Sequence, residues 1–276
     1  MRMGAGLFRL LDLRRDVDGL ENVPPTGGAV LAITHFGYLD FALVQDAVWR
    51  RHRRLTRFLV TDAAFGHPIA GPLLRAMRHI PVHRAAGAGA YRSARAALRR
   101  GELVGIFPES AVSVTTELLP LKKGAAGLAA ETGAPLIPVL VWGGQRVITK
   151  GIPLRWRRAR HADIHVEFGA RLQPGAGQDP AEVTAELRER LTAMIASQLA
   201  IAPERSHENI LRAMAVRAGQ PAERTSSRKT AASSSASSVA ASPVNRSASS
   251  GPSARTTSAS VSSSSPSSSS TETASA

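Results

Sequence analysis

Six short segments built around apolar residues punctuate residues 29–168 and fix what this chain can fold into: Ala29–Ile33, Phe58–Val60, Ile80–His83, Leu103–Phe107, Leu136–Trp142 and Ile164–Phe168. Each is short enough for a strand, and turn residues or helical stretches separate them. Helices are expected from about Leu39 to Trp49 and over Tyr91–Arg100, Gly124–Thr132 and Pro180–Leu199. The last has the clearest boundary: Asp179 stands at the N-cap, Pro180 at the first helical position, and Val183, Leu187, Leu191, Met194 and Ile195 share one face. Strands alternating with helices predict an α/β fold, a single domain with a mostly parallel sheet flanked by helices. Ligands of such sheets bind beyond the carboxyl ends of the strands.

The rhythm stops well before the chain does. From Ser226 to Ala276, 23 of 51 residues are serine, and no aromatic follows Phe168. Such a segment cannot bury enough apolar surface to offset its backbone entropy, so residues 221–276 are expected to form a disordered Ser/Ala-rich tail. The catalytic or binding body is then residues 17–220, preceded by residues 1–16, a segment of mixed leucines and arginines that suits a short amphipathic helix. Of the formal net charge of +14, +11 belongs to residues 1–220, which points to an anionic partner. The absence of cysteine excludes a disulfide scaffold, a zinc-thiolate site and a thiol nucleophile. No apolar stretch is long enough to span a membrane, and Arg9 and Asp12 interrupt the Leu7–Leu13 stretch in a way unlike a secretory signal. A cytoplasmic protein is expected.

The carboxyl ends of the predicted strands carry reactive groups. Thr34 and His35 follow the first strand, with Asp40 five residues beyond His35; Arg84 follows Ile80–His83; Pro108 and Glu109 follow Leu103–Phe107. Within one straight helix, His35 and Asp40 would point about 140° apart. With His35 in a loop and Asp40 in the first turn of the next helix, they can meet. Asp40 would then accept the Nδ1 proton of His35 while Nε2 takes a proton from a substrate hydroxyl. The chain lacks a Gly-x-Ser-x-Gly elbow, a phosphate-binding Gly-x-x-x-x-Gly-Lys loop and a Gly-x-Gly-x-x-Gly loop, which argues against an acyl-serine enzyme, a nucleotide hydrolase and a dinucleotide oxidoreductase.

Thr34-His35-Phe36-Gly37-Tyr38-Leu39-Asp40 resembles the His-x4-Asp box of the glycerolipid acyltransferases, the family that includes 1-acylglycerol-3-phosphate acyltransferase. Other marks stand in order with it: Gly19-Leu20-Glu21-Asn22-Val23-Pro24, Ile80-Pro81-Val82-His83-Arg84, Phe107-Pro108-Glu109-Ser110, Lys122-Lys123-Gly124-Ala125 and Ile137-Pro138-Val139. The resemblance covers about residues 15–170. It implies that His35 deprotonates a glycerol hydroxyl, which attacks the thioester of acyl-CoA or acyl-carrier protein directly, with Asp40 orienting the histidine. No cofactor beyond that co-substrate is implied. Arg84 and the Phe107–Ser110 box, with Pro108, Glu109 and Ser110, are implied in acceptor binding, Glu109 by holding a glycerol hydroxyl or a cation such as Arg84. Lys122 and Lys123 would add positive charge at a helix N-terminus for an anionic head group. The expected product is phosphatidate from 1-acylglycerol-3-phosphate. This chain departs from the family where Ser110 replaces a glycine and Ala111-Val112-Ser113 replaces a Thr-Arg-Ser sequence, so that its loop lacks the usual arginine.

Two alternatives stay open: acylation of a different lysolipid or glycolipid acceptor, and a non-catalytic basic protein that binds lipid or nucleic acid. The pairs His79/His83 and His161/His165 have metal-like spacing without an evident third ligand and are read as structural. The clusters Arg50-Arg51-His52-Arg53-Arg54 and Arg155-Trp156-Arg157-Arg158 suit an anionic membrane surface, because no nucleic-acid-binding motif accompanies them. The expected partners are an acyl donor, a lysoglycerolipid acceptor and the cytoplasmic face of a membrane, with no nucleic acid.

Overall fold

The computed structural model describes residues 12–68, 70–83, 87–113, 115–150, 159–203 and 209. The chain divides into two units, residues 1–223 and 224–276, and every described residue belongs to the first. In chain order the strands are β1 (Arg14–Asp18), β2 (Ala29–Ile33), β3 (Thr56–Thr61), β4 (Ile80–Val82), β5 (Leu103–Ile106), β6 (Leu136–Trp142) and β7 (Asp163–Phe168). The α-helices are α1 (Asp40–His52), α2 (Asp62–Phe65), α3 (Ala70–Ala76), α4 (Gly87–Arg99), α5 (Gly124–Thr132) and α6 (Pro180–Ile201).

The seven strands form one sheet in the order β1-β7-β6-β2-β5-β3-β4. From β6 to β4 every pairing is parallel, whereas β7 pairs antiparallel with β6 and parallel with β1. The α/β expectation therefore holds, with two strands at one side running against the other five. In the central strand β2 all five residues are buried, which is why it reads as an unbroken apolar run. Its side chains alternate between two cores. Val30 and Ala32 pack with residues of α4, α5 and α6, while Ala29, Leu31 and Ile33 pack with Leu43, Val44, Ala47 and Val48 of α1. Asp179 caps α6 by accepting from the Ala181 N–H at 2.8 Å.

The N-terminal reading needs correction. Residues 14–16 were expected to belong to a helical segment, but they begin strand β1, paired in register Arg14↔Asp163 to Asp18↔Glu167. Arg-Arg-Asp-Val-Asp has poor strand propensity. It survives at an edge, where only Arg15 and Val17 are partly buried and the charges discourage further pairing. Residues 1–11 and the tail at 221–276 lie outside the described residues.

A buried histidine stiffens the opposite side of the sheet. His79 is 5% exposed, and its Nδ1 accepts from the Phe58 N–H at 3.2 Å, which places the ring proton on an Nε2 that is buried without a partner among the described residues. Burial, with Arg57 nearby, lowers its pKa to about 4. The folded protein thus holds His79 neutral while the unfolded chain protonates it below about pH 6.5. Its contribution is intact above that pH and fades as the pH falls toward 4. The full loss is on the order of 3 kcal/mol. Urea midpoints measured from pH 4 to pH 7 should therefore fall more steeply on acidification for the wild type than for His79→Gln, which keeps an acceptor for Phe58 but cannot titrate.

Candidate active site

His35 and Glu109 follow β2 and β5, which lie side by side in parallel with Ala32 opposite Ile106. Parallel pairing of two adjacent strands brings both chain continuations to one edge, and the loop after β6 joins them from the other side of β2. The backbone of His35 is then fixed twice. Its N–H donates to Glu109 Oε1 at 3.0 Å, and its carbonyl accepts from the Ser113 N–H at 2.8 Å.

The side chain is fixed by Asp40, the first residue of α1. His35 Nδ1 lies 3.3 Å from Asp40 Oδ2, which also accepts from the Gly37 N–H at 2.8 Å. Phe107 packs on the other surface of the imidazole, with ring centroids 4.2 Å apart. Asp40 is wholly buried and the His35 side chain 21% exposed. Asp40 Oδ1 has no hydrogen-bond partner among the described residues. The space beside it is kept by glycines: a Cβ on Gly37 or Gly144 would stand 3.1 or 3.0 Å from that oxygen. Burial pushes the Asp40 carboxyl above its ordinary pKa, against the opposing pull of His35 and Gly37. With Nδ1 turned to a carboxylate, Nε2 is the nitrogen left to accept a proton from a bound hydroxyl.

Glu109 occupies an unexpected position. It is 5% exposed, and while Oε1 takes the His35 N–H, Oε2 takes the Leu119 N–H at 3.0 Å. Burial raises its pKa, opposed by those two donors. It therefore ties together the strand ends and the loop between β5 and α5. Pro108 is buried, and its carbonyl accepts from the Lys122 N–H at 3.0 Å, joining the start of α5 to the same box. Lys122 and Lys123 are exposed, with Lys123 at the N-cap of α5. Arg84 lies outside the described residues, as does the Arg155–Arg158 cluster. The strand before Arg84, β4, stands three places from β2, roughly 14 Å across the sheet. The paired histidines each have a separate carboxylate or backbone partner: Asp62 for His83, Asp12 for His161, Asp16 for His165 and the Phe58 N–H for His79.

Ser110 is exposed and has φ +57, in the left-handed region where a Cβ costs about 1–2 kcal/mol. Because glycine also loses more entropy on folding, Ser110→Gly is expected to stabilise by a net of about 0.5 kcal/mol. A rise of one to a few degrees in Tm checks it. The groups that strand-end reasoning missed are Gly144, Ser113 and Phe107, which act by backbone or packing; the Gly143-Gly144 pair directly after an apolar strand was the available signal.

A family model described as Acyltransferase matches residues 14–142. The 1-acyl-sn-glycerol-3-phosphate acyltransferase of Bacillus subtilis (strain 168) is 31% identical over 137 residues, 48% of this chain and 65% of that protein. The chloroplastic 1-acyl-sn-glycerol-3-phosphate acyltransferase BAT2 of Brassica napus is 25% identical over 142 residues, 50% of this chain and 40% of that protein. The matched stretch thus spans less than two thirds of either relative. The crystal structure of the 1-acyl-sn-glycerophosphate (LPA) acyltransferase PlsC from Thermotoga maritima is similar with a TM-score of 0.58 at 21% identity, covering 72% of this chain and 78% of that one. This last likeness shows a shared fold.

Proposed function

Because the chain belongs to the glycerolipid acyltransferase family, we propose that it transfers a fatty acyl group from acyl-CoA or acyl-carrier protein to a hydroxyl of a lysoglycerolipid, with 1-acylglycerol-3-phosphate as acceptor and phosphatidate as product. One observation carries this reading: a partly exposed histidine whose Nδ1 faces the buried carboxylate of Asp40 at 3.3 Å, at the carboxyl edge of a parallel sheet. His35 Nε2 takes the proton of the acceptor hydroxyl as its oxygen attacks the thioester carbonyl. Asp40 stabilises the imidazolium that results. When the tetrahedral adduct collapses, the carbon–sulfur bond breaks and His35 returns the proton to the leaving thiolate. The products are an ester and a free thiol, and no atom of the protein is acylated.

The loop after β5 favours testing a second acceptor class as well. From Phe107 to Leu121 it carries no lysine or arginine, so a lysolipid without a phosphomonoester remains chemically compatible with it. Purified protein with labelled acyl-CoA and a panel of lysophosphatidate, lysophosphatidylglycerol and lysophosphatidylcholine tests both readings. Preference for lysophosphatidate supports the first; preference for another lysolipid supports the second; no transfer to any acceptor sinks both. No described helix is long and apolar enough to cross a membrane. The exposed lysines Lys122, Lys123 and Lys150 support a reading in which the protein reaches a lipid acceptor by peripheral attachment at the cytoplasmic face.

A further inference from the structure

If the acceptor is a membrane lipid, a bilayer must be approached by the edge of the sheet that holds His35. Helix α1 compares the two edges directly, because Asp40 is its first residue and His52 its last. The rise between them is about 18 Å, so the basic cluster at residues 50–54 stands far from the base. Most of that cluster is already engaged within the fold. Arg50 Nε pairs with Asp46 at 2.8 Å, His52 Nε2 lies 3.2 Å from the Leu20 carbonyl, and Arg53 lies over the Trp49 ring. Arg54 donates to the carbonyls of Pro24, Gly27 and Gly101.

The edge near His35 has a different surface. Tyr38, three residues beyond His35, is 47% exposed. Its N–H donates to the Ile148 carbonyl at 3.2 Å, which ties it to the segment after β6 where Lys150 is exposed. Lys122 and Lys123 are exposed on the neighbouring loop, and the carboxylates nearest the base, Asp40 and Glu109, are buried. The acidic groups described on this side are exposed Glu117, the Asp62–His83 pair and, where β7 and β1 begin, Asp163, which lies 3.8 Å from Arg14 and 4.0 Å from Arg146, and Asp12, paired with His161. An exposed tyrosine flanked by lysines matches the polarity of a headgroup layer, where the ring sits at the interface and the cations meet lipid phosphate.

We propose that this rim, anchored by Tyr38 and Lys150, is where the protein docks on an anionic bilayer. The proposal rests on the lipid-acyltransferase reading for its purpose, but its test does not depend on turnover. The full chain is sedimented with vesicles of phosphatidylcholine and phosphatidylglycerol at 2:1, and with phosphatidylcholine alone. Wild type is expected to prefer the anionic vesicles and to lose binding as salt rises. Tyr38→Ser/Lys150→Ser should weaken partition by roughly tenfold or more, about fivefold arising from the lysine. Arg51→Ser, an exposed cation at the far end of α1, should stay within about twofold. Transfer by Lys150→Ser alone to a short-chain lysophosphatidate below its micelle concentration should match wild type. Undiminished vesicle binding by Tyr38→Ser/Lys150→Ser, or loss with Arg51→Ser instead, overturns the rim assignment. Rim-dependent binding in a protein that acylates neither soluble nor vesicle-borne acceptors supports the docking surface and overturns the acyltransferase reading alone.

Discussion

His35→Ala is expected to lower kcat for acyl transfer by about 10³-fold, within the range of 10²–10⁴ that a positioned general base supplies. The acceptor hydroxyl is a poor nucleophile at neutral pH, and the chain offers no cysteine to form an acyl-enzyme in its place. Loss of the imidazole should leave KM for the acyl donor little changed, because the ring contacts Phe107 and Asp40 rather than enclosing a pocket of its own. The companion substitution separates chemistry from folding. Asp40→Asn can place its amide oxygen where Oδ2 now accepts from His35 and Gly37, and its NH2 where Oδ1 already lacks a partner among the described residues. A buried charge is removed and one orphaned polar atom replaces another, so stability should stay within about 1 kcal/mol of wild type. Activity should nevertheless fall by about 10²–10³-fold, because a neutral amide cannot stabilise the imidazolium. Acyl transfer that survives His35→Ala at more than a tenth of the wild-type rate would remove the mechanism.

The contrast between these two sites and the rest of the molecule shows what sequence can specify. Strands β2 and β6 and helix α5 coincide with the predicted spans, because a strand covered on both faces must be apolar throughout. Strand β1 was illegible for the converse reason: an edge strand needs only partial burial, and its arginines and aspartates carry no strand pattern. The reversed direction of β7 leaves no trace in composition, since the alternation of Ile164, Val166 and Phe168 with Asp163, His165 and Glu167 reads the same either way. In the site, the His35–Asp40 contact was legible because a loop histidine five residues before an aspartate in the first turn of a helix can reach it, and the ordered motifs around the pair pointed the same way. The role of Glu109 did not, because whether a carboxylate meets a ligand or a backbone N–H depends on loop geometry that residue identity does not encode. The arginines at 50–54 teach the same lesson about charge. Counting them suggested a headgroup surface, whereas Arg54 is occupied by three carbonyls.

Glu109→Gln provides the sharpest separation of two roles for one residue. If Glu109 held the acceptor, its loss would raise KM for the acceptor. The observed bonds point elsewhere: both oxygens accept backbone N–H groups, from His35 and from Leu119, and the side chain is buried. Glutamine can satisfy only one of these donors, and its NH2 faces the other donor-to-donor. The unpaired group costs about 1–3 kcal/mol, which in a domain of this size lowers Tm by several degrees. The more telling effect is on the base. Where the glutamine NH2 faces the His35 N–H, the histidine is left to Ser113, Asp40 and the Phe107 ring, and displacement of the base by about 1 Å costs on the order of 10² in rate. The expected result is therefore kcat reduced by about 10²-fold with KM for the acceptor within about threefold. Glu109→Asp, too short to span both donors, should behave alike. The opposite split, a raised KM at constant kcat and unchanged Tm, would return Glu109 to acceptor binding and leave the backbone tie without a catalytic consequence.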